Sequence, residues 1–100
     1  MTKLYSIYIS PGAIAPDSLD NLATRYLDEF TRLTAVGAWH GQLEPTLVYQ
    51  LYRASDTTPW SVTAFAEAAR QLCNQQAVLI TSTPADTILI TQNPLADLVI

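Results

Sequence analysis

Charged side chains are scarce in this sequence. They account for 14% of its 100 residues, against roughly 25% in typical soluble domains, whereas 49% of the residues are hydrophobic. Because so few charges cannot cover so much apolar surface, we expect part of that surface to be buried against a second copy, in a homo-oligomer. The length fits a single domain over residues 1–100, since either half would be too small to bury a core.

Basic residues are especially few. Five Lys and Arg residues are scattered along the chain against nine acidic ones, which gives a formal net charge of −4. Nucleic-acid binding normally requires a basic stripe that neutralises phosphates, so we expect no nucleic-acid partner. The sequence is still compatible with a small anionic ligand as a partner, because one guanidinium is enough to orient a phosphate or a carboxylate.

Cysteine and histidine occur once each, as Cys73 and His40. One cysteine cannot form an internal disulfide, and no apolar run reaches 18 residues, so we expect a cytoplasmic protein that has no membrane partner. Structural metal sites normally use four Cys or His ligands at short spacings, and we therefore expect no metal. Neither glycine-rich nucleotide-binding pattern occurs, and no cofactor is indicated.

Alternating and β-branched residues predict five strands, at residues 4–9, 33–40, 46–53, 76–81 and 87–91. Residues 41–45 connect the second and third strands, which form an antiparallel hairpin, and residues 82–86 form a turn after the fourth. The tail after Pro94 is apolar and unassigned.

Apolar residues at intervals of three and four predict two helices. The first begins at Pro16, and its apolar series continues through Phe30 as far as Leu33, with Arg25 paired to Glu29 and Asp28 to Arg32 on the outer face. The second has Thr58 as its N-cap and ends near Asn74.

This order of elements indicates a ferredoxin-like α+β fold. Its β-α-β-β-α-β core has an antiparallel sheet with both helices on one face, and a short C-terminal strand is added. The other sheet face is then open, and the alternation assigns to it Leu4, Ser6, Tyr8, Val48, Gln50 and Tyr52. Such a face is too apolar for solvent alone and suits an interface or the floor of a ligand site.

No set of catalytic residues stands out. His40 is the best candidate for a general base, with Glu44 across the turn, although an ordinary residue at the end of a hairpin explains it as well. Cys73 falls on the buried side of the second helix and is expected in the core. The candidate ligand-binding residues supply rings for stacking and polar groups for contact: Tyr8, Trp39, His40, Glu44, Tyr49, Tyr52 and Arg53.

The most individual stretch is the hairpin pattern G-x-W-x-G-x-x-E-x-[ST], which runs from Gly37 to Thr46 and leads into an alternating strand. With the helix that ends in Asn74-Gln75-Gln76, it resembles short uncharacterised proteins that recur in bacteriophages. The resemblance covers about half of the chain, residues 33–80. It implies a ferredoxin-like fold and a phage source, implies no known reaction, and marks Trp39, Glu44, Thr46 and Gln76.

Three functions remain open at this point. The resemblance implies a non-enzymatic homo-oligomer that inhibits host defence, either by sequestering a small signalling molecule or by covering a host protein, in the cytoplasm of the host cell. The open aromatic face and the lack of a catalytic set favour binding over turnover. The alternatives are a small dimeric α+β enzyme in which His40 and Glu44 move a proton, and a regulatory module that senses a small molecule.

Overall fold

The computed structural model describes residues 1–54 and 56–92. Its elements are β1 (Thr2–Ile9), α1 (Pro16–Tyr26), β2 (Thr31–Trp39), β3 (Gln42–Ala54), α2 (Trp60–Leu72) and β4 (Leu79–Pro84). The four strands form one antiparallel sheet in the order β2-β3-β1-β4. This arrangement confirms the ferredoxin-like α+β fold that the sequence predicts.

Both helices cover the same face of the sheet. The core packs alternate residues of β1 and β3 against one side of each helix: Tyr5, Ile7, Ile9, Leu47, Tyr49 and Leu51 with Leu19, Ala23, Val62, Phe65 and Ala69. The predicted division of β1 and β3 into two faces is therefore confirmed. Cys73 is buried in the same cluster, as expected, and burial raises the pKa of its thiol.

Helix α1 ends earlier than predicted. Its last residue is Tyr26, and Leu27 is already extended, with φ −116° and ψ 113°. Leu33, the last apolar position assigned to the helix, lies instead in β2 opposite Val48. The apolar spacing runs on because Leu27 and Phe30 still contact the core from the connecting segment. The ladder with β3 satisfies the backbone groups of β2, so tertiary pairing overrides the local period.

The β2–β3 hairpin is tighter than predicted. Residues 41–45 do not form a loop, since β3 begins at Gln42 and pairs there with Trp39. Only His40 and Gly41 remain between the strands, at φ 50° and 77°. Two successive residues of positive φ form the type I′ turn, whose twist matches that of the flanking strands.

Three further boundaries differ from the prediction. Pro59, not Thr58, is the N-cap of α2, and no side chain caps that helix. Residues 82–84, predicted as a turn, belong to β4, which pairs with β1 as far as Pro84 opposite Lys3. The predicted strand at residues 87–91 is wrong, since only Leu89 forms an isolated bridge there. The predicted tail after Pro94 lies outside the described residues.

Candidate functional site

The sheet face opposite the helices, here the open sheet face, carries one charged side chain. The register of the ladders assigns to it alternate residues of every strand: Thr2, Leu4, Ser6, Tyr8, Thr31, Leu33, Ala35, Gly37, Trp39, Gln42, Glu44, Thr46, Val48, Gln50, Tyr52, Ala54, Leu79, Thr81 and Thr83. Glu44 is the charged one. Five of the others are large apolar or aromatic side chains that the protomer leaves exposed, namely Tyr8, Leu33, Trp39, Tyr52 and Leu79.

The centre of the open sheet face is already shielded from water within one protomer. Ser6 and Val48 are each 6% exposed although no helix covers them. Gln50 Nε2 donates a hydrogen bond to Ser6 Oγ over 3.2 Å, which satisfies the central polar pair. The face therefore presents a closed, uncharged middle surrounded by exposed apolar side chains.

The tip of the hairpin reaches past the helices. Val36 and Leu43, whose side chains are on the helix side of the sheet by register, are 73% and 77% exposed. Trp39 is exposed on the opposite side and meets the His40 ring edge-on at a centroid distance of 5.0 Å. The tip is thus apolar on both sides, and its backbone is fixed by the I′ turn.

A small concavity lies at the other end of β3. The ladder with β2 begins with Thr31 opposite Gln50, so no strand of residues 1–54 and 56–92 pairs with the last four residues of β3 on that side. The concavity at this uncovered edge has a volume of about 280 Å³. It is lined by Glu29, Phe30, Thr31, Gln50, Leu51, Tyr52 and Arg53. We refer to it as the edge pocket.

Two opposite charges line the edge pocket without pairing with each other. Arg53 donates from Nη1 to the carbonyl oxygen of Tyr52 over 2.9 Å, which uses one of its five N–H groups. It forms no ion pair with a described carboxylate, in contrast to Arg32 and Arg70. Glu29, on the connection between α1 and β2, likewise pairs with none of the described cations. The pocket therefore keeps both a cation and an anion available.

A satisfied polar cluster lies on the helix side of β2 and β3. Arg32 donates to both oxygens of Asp20, at 3.2 Å from Nε and 3.0 Å from Nη2, and Tyr49 Oη donates to Asp20 Oδ1 at 2.6 Å. Partial burial acts to raise the pKa of Asp20, but the hydrogen bonds and the charge of Arg32 outweigh it and lower that pKa. Burial, then the bond to Asp20, raises the pKa of Tyr49.

The structure separates the predicted ligand-binding residues into different places. Trp39, His40 and Glu44 lie toward the hairpin tip, whereas Tyr52 and Arg53 line the edge pocket. The two groups are on the order of 30 Å apart, because a strand rises about 3.3 Å per residue. One small ligand cannot contact both groups within a protomer.

Two tyrosines of the predicted set lie outside both groups. Tyr49 is buried between Phe30 and Phe65, at centroid distances of 5.4 and 5.1 Å, and does not reach a surface. Tyr8 is on the open sheet face, on β1. Sequence reasoning missed Glu29, Phe30 and Thr31, because the first helix was extended through them. The signal that could have identified these residues is the strand pattern of β2, which begins at Thr31 and not at Leu33.

A larger concavity, of about 700 Å³, opens beside the start of β1 and contains one charged side chain, Asp86. His40 and Glu44 line neither concavity.

Among the described residues, no three His, Cys, Asp or Glu side chains come together as metal ligands. In residues 1–54 and 56–92, no helix has the length and apolar character needed to cross a bilayer. Of the two concavities, the edge pocket alone contains both an acidic and a basic side chain, and it is the candidate ligand site.

The sequence matches no protein-family model and no curated protein. Solved structures are similar in fold. A phage SAM lyase in complex with S-methyl-5′-thioadenosine matches with a TM-score of 0.57 and 14% identity, over 82% of this chain and 80% of that one. The apo state of a phage SAM lyase gives 0.56 and 15%, over 81% and 78%.

A third similar structure is the divalent cation tolerance protein Cut A1 from Thermus thermophilus. It matches with a TM-score of 0.50 and 16% identity, over 85% of this chain and 84% of that one. At such identities the likeness shows a common fold. The hairpin pattern from Gly37 to Thr46 is not part of what these matches show.

Proposed function

We propose that this chain is a self-associating binding protein of phage origin that withholds a small host molecule by capturing it at the edge pocket. The observation that carries the proposal is the open sheet face, on which five large apolar or aromatic side chains are exposed and Glu44 is the only charged side chain among the described residues that the register assigns to it. Monomers rarely leave such a surface to water. A partner is therefore expected to cover it.

A second copy is the partner that the charge distribution favours. The chain carries a formal net charge of −4, so most approaches between two copies bring like charges together. The open sheet face avoids this repulsion, because nearly all of its side chains are apolar or neutral. The apolar hairpin tip, exposed on both sides, would be buried by the same association.

The edge pocket supports the ligand-binding part of the proposal. Arg53 offers unused N–H groups to an anionic substituent, and Phe30 adds apolar surface to the same concavity. The structure of a phage SAM lyase of similar fold is known in complex with S-methyl-5′-thioadenosine, so this fold can hold a small ligand. The resemblance to small phage proteins adds the proposal that such capture inhibits a host defence.

Matched leucine substitutions test the self-association. Leu33 on the open sheet face and Leu72 on α2 are 45% and 41% exposed. Because the two leucines are buried to a similar extent within the protomer, a lysine at either position should affect its folding to a similar extent. We expect Leu33→Lys to shift the sedimentation profile to monomer at micromolar concentration and Leu72→Lys to leave the oligomer intact. A parent protein that sediments as a monomer would remove the proposal.

Turnover is the second candidate, and the fold shared with a phage lyase favours it. Native mass spectrometry of the parent protein would identify a retained ligand. Incubation with S-adenosylmethionine, followed by chromatography, would detect S-methyl-5′-thioadenosine if the chain cleaves that molecule. We expect no product, because His40 and Glu44, the candidate proton-transfer pair, lie away from the edge pocket. Product that scales with protein concentration would establish an enzyme instead.

A further inference from the structure

We infer that the edge pocket selects a zwitterion, and specifically the α-amino-acid group of a small molecule with an apolar or aromatic body. This inference rests on the proposed capture of a small ligand at the same pocket. The observation behind it is the pair of opposite charges, Glu29 and Arg53, that line one concavity without forming an ion pair.

A ligand with a single charge would leave one of these two side chains without a partner. An α-amino acid carries an ammonium and a carboxylate at neutral pH, on one carbon. Its carboxylate suits the planar fork of Arg53, whose Nη1 alone is used by the Tyr52 carbonyl. Its ammonium suits the carboxylate of Glu29, which accepts hydrogen bonds only. The pair therefore fixes the orientation of the ligand as well as its charge.

The remaining lining fits the body of such a ligand. Tyr52 contributes to the lining at the strand edge, with its side chain on the open sheet face and that of Arg53 on the helix side. Phe30 and Leu51 add apolar surface, and Gln50 and Thr31 add neutral polar groups. A volume of about 280 Å³ lies at the lower limit of small-molecule pockets, which suits an amino acid better than a nucleotide.

Calorimetric titration of the parent protein with L-phenylalanine and L-methionine tests the inference directly. We expect at least one of them to bind, and N-acetyl-L-phenylalanine and L-phenylalanine amide to bind at least about tenfold more weakly than the free amino acid, since each lacks one charge. Equal binding of a blocked derivative would overturn the inference. So would the absence of binding by both amino acids at millimolar concentration.

Four variants provide the matching evidence on the protein. We expect Arg53→Gln and Glu29→Gln each to weaken binding about tenfold or more, and the controls Arg25→Gln and Asp28→Asn to change it less than about twofold, because the control residues do not line the pocket. Circular dichroism would verify that each variant is folded. Unchanged affinity in both pocket variants overturns the zwitterion site. Different results would overturn the proposed function. These are a parent protein that sediments as a monomer, or the formation of S-methyl-5′-thioadenosine from S-adenosylmethionine.

Discussion

At the scale of single residues, the Asp20–Arg32–Tyr49 cluster ties α1 to β2 and β3. Asp20 on the helix accepts from a strand arginine and a strand tyrosine, so one carboxylate links three elements. The Asp20 and Arg32 side chains are each 29% exposed, whereas the Tyr49 ring is buried. The hydrogen bond of the Tyr49 hydroxyl is therefore the one in the cluster that a bond to water can least replace.

Tyr49→Phe should lower the free energy of unfolding by about 1 to 2 kcal/mol, since it removes a hydrogen bond to a charged group and leaves the ring packing in place. Tyr26→Phe is the matched control, because that half-buried ring packs on Phe65 and its hydroxyl has no described partner. Urea denaturation would compare the two. Equal effects would mean that the bond to Asp20 contributes nothing specific.

Asp20→Asn should change how stability depends on acidity. The pKa of Asp20 is lower in the folded chain, so its contribution is present above the unfolded value of about 3.9 and is lost as pH falls through the folded value. We expect the variant to be less stable than the parent at pH 7, with the difference shrinking below about pH 4. Melting temperatures of the parent and of the variant across pH 2–7 would measure this difference. A difference that does not change with pH would contradict the lowered pKa of Asp20 in the folded chain.

At the scale of elements, the β2–β3 hairpin depends on a close approach between its strands. A Cβ on Gly37 would lie 2.7 Å from Thr46 Oγ1, which is inside any normal contact distance. Thr46 is 9% exposed on the open sheet face, and its Oγ1 donates to the Glu44 carbonyl over 3.3 Å. Three positions of the hairpin pattern, Gly37, Glu44 and Thr46, therefore have a structural role as a packed unit.

Gly37→Ala should destabilise the protein by about 1 to 3 kcal/mol, the usual cost of overpacking. Adding Thr46→Ala removes the clashing oxygen and leaves the next atom at 3.7 Å, in ordinary contact. We therefore expect the double variant to recover most of the loss caused by Gly37→Ala. A double-mutant cycle by thermal unfolding would measure the coupling, and additive losses would show that the strands do not touch there.

At the scale of the whole molecule, the few charges are distributed unevenly. Glu44 is the one charge that the register assigns to the open sheet face, whereas the two ion pairs of the described residues, Asp20–Arg32 and Glu67–Arg70, involve the helices. An interface built on the open sheet face would then contain few attractive charge pairs. Its strength would come from apolar burial, opposed by the repulsion between two negative chains.

Self-association should therefore tolerate salt. Between 50 and 500 mM NaCl, we expect the dissociation constant of the oligomer to fall or to change by less than about threefold, since salt screens the net repulsion and leaves apolar burial intact. Sedimentation equilibrium at both concentrations would measure the change. A dissociation constant that rises tenfold or more with salt would show that charge pairs hold the copies together.

The edge pocket shows why the sequence predicted only part of the site. Tyr52 and Arg53 were named from the type of side chain, and both line it. Glu29 and Phe30 were assigned to the outer and inner sides of a helix that continued to Leu33. The correct end of α1 depends on β2 pairing with β3, a contact between segments that are separated along the chain. No local pattern contains that information.

The sequence by itself determined the order of the elements and the two faces of β1 and β3, because a strand alternates its side chains with a period of two and a helix repeats every 3.6 residues. Only the tertiary structure decided where α1 ends, that Arg32 pairs with Asp20 instead of Asp28, and that Glu29 faces the same concavity as Arg53. The physical reason is the same in each case: these features depend on which strand lies beside which, and strand pairing is a long-range choice.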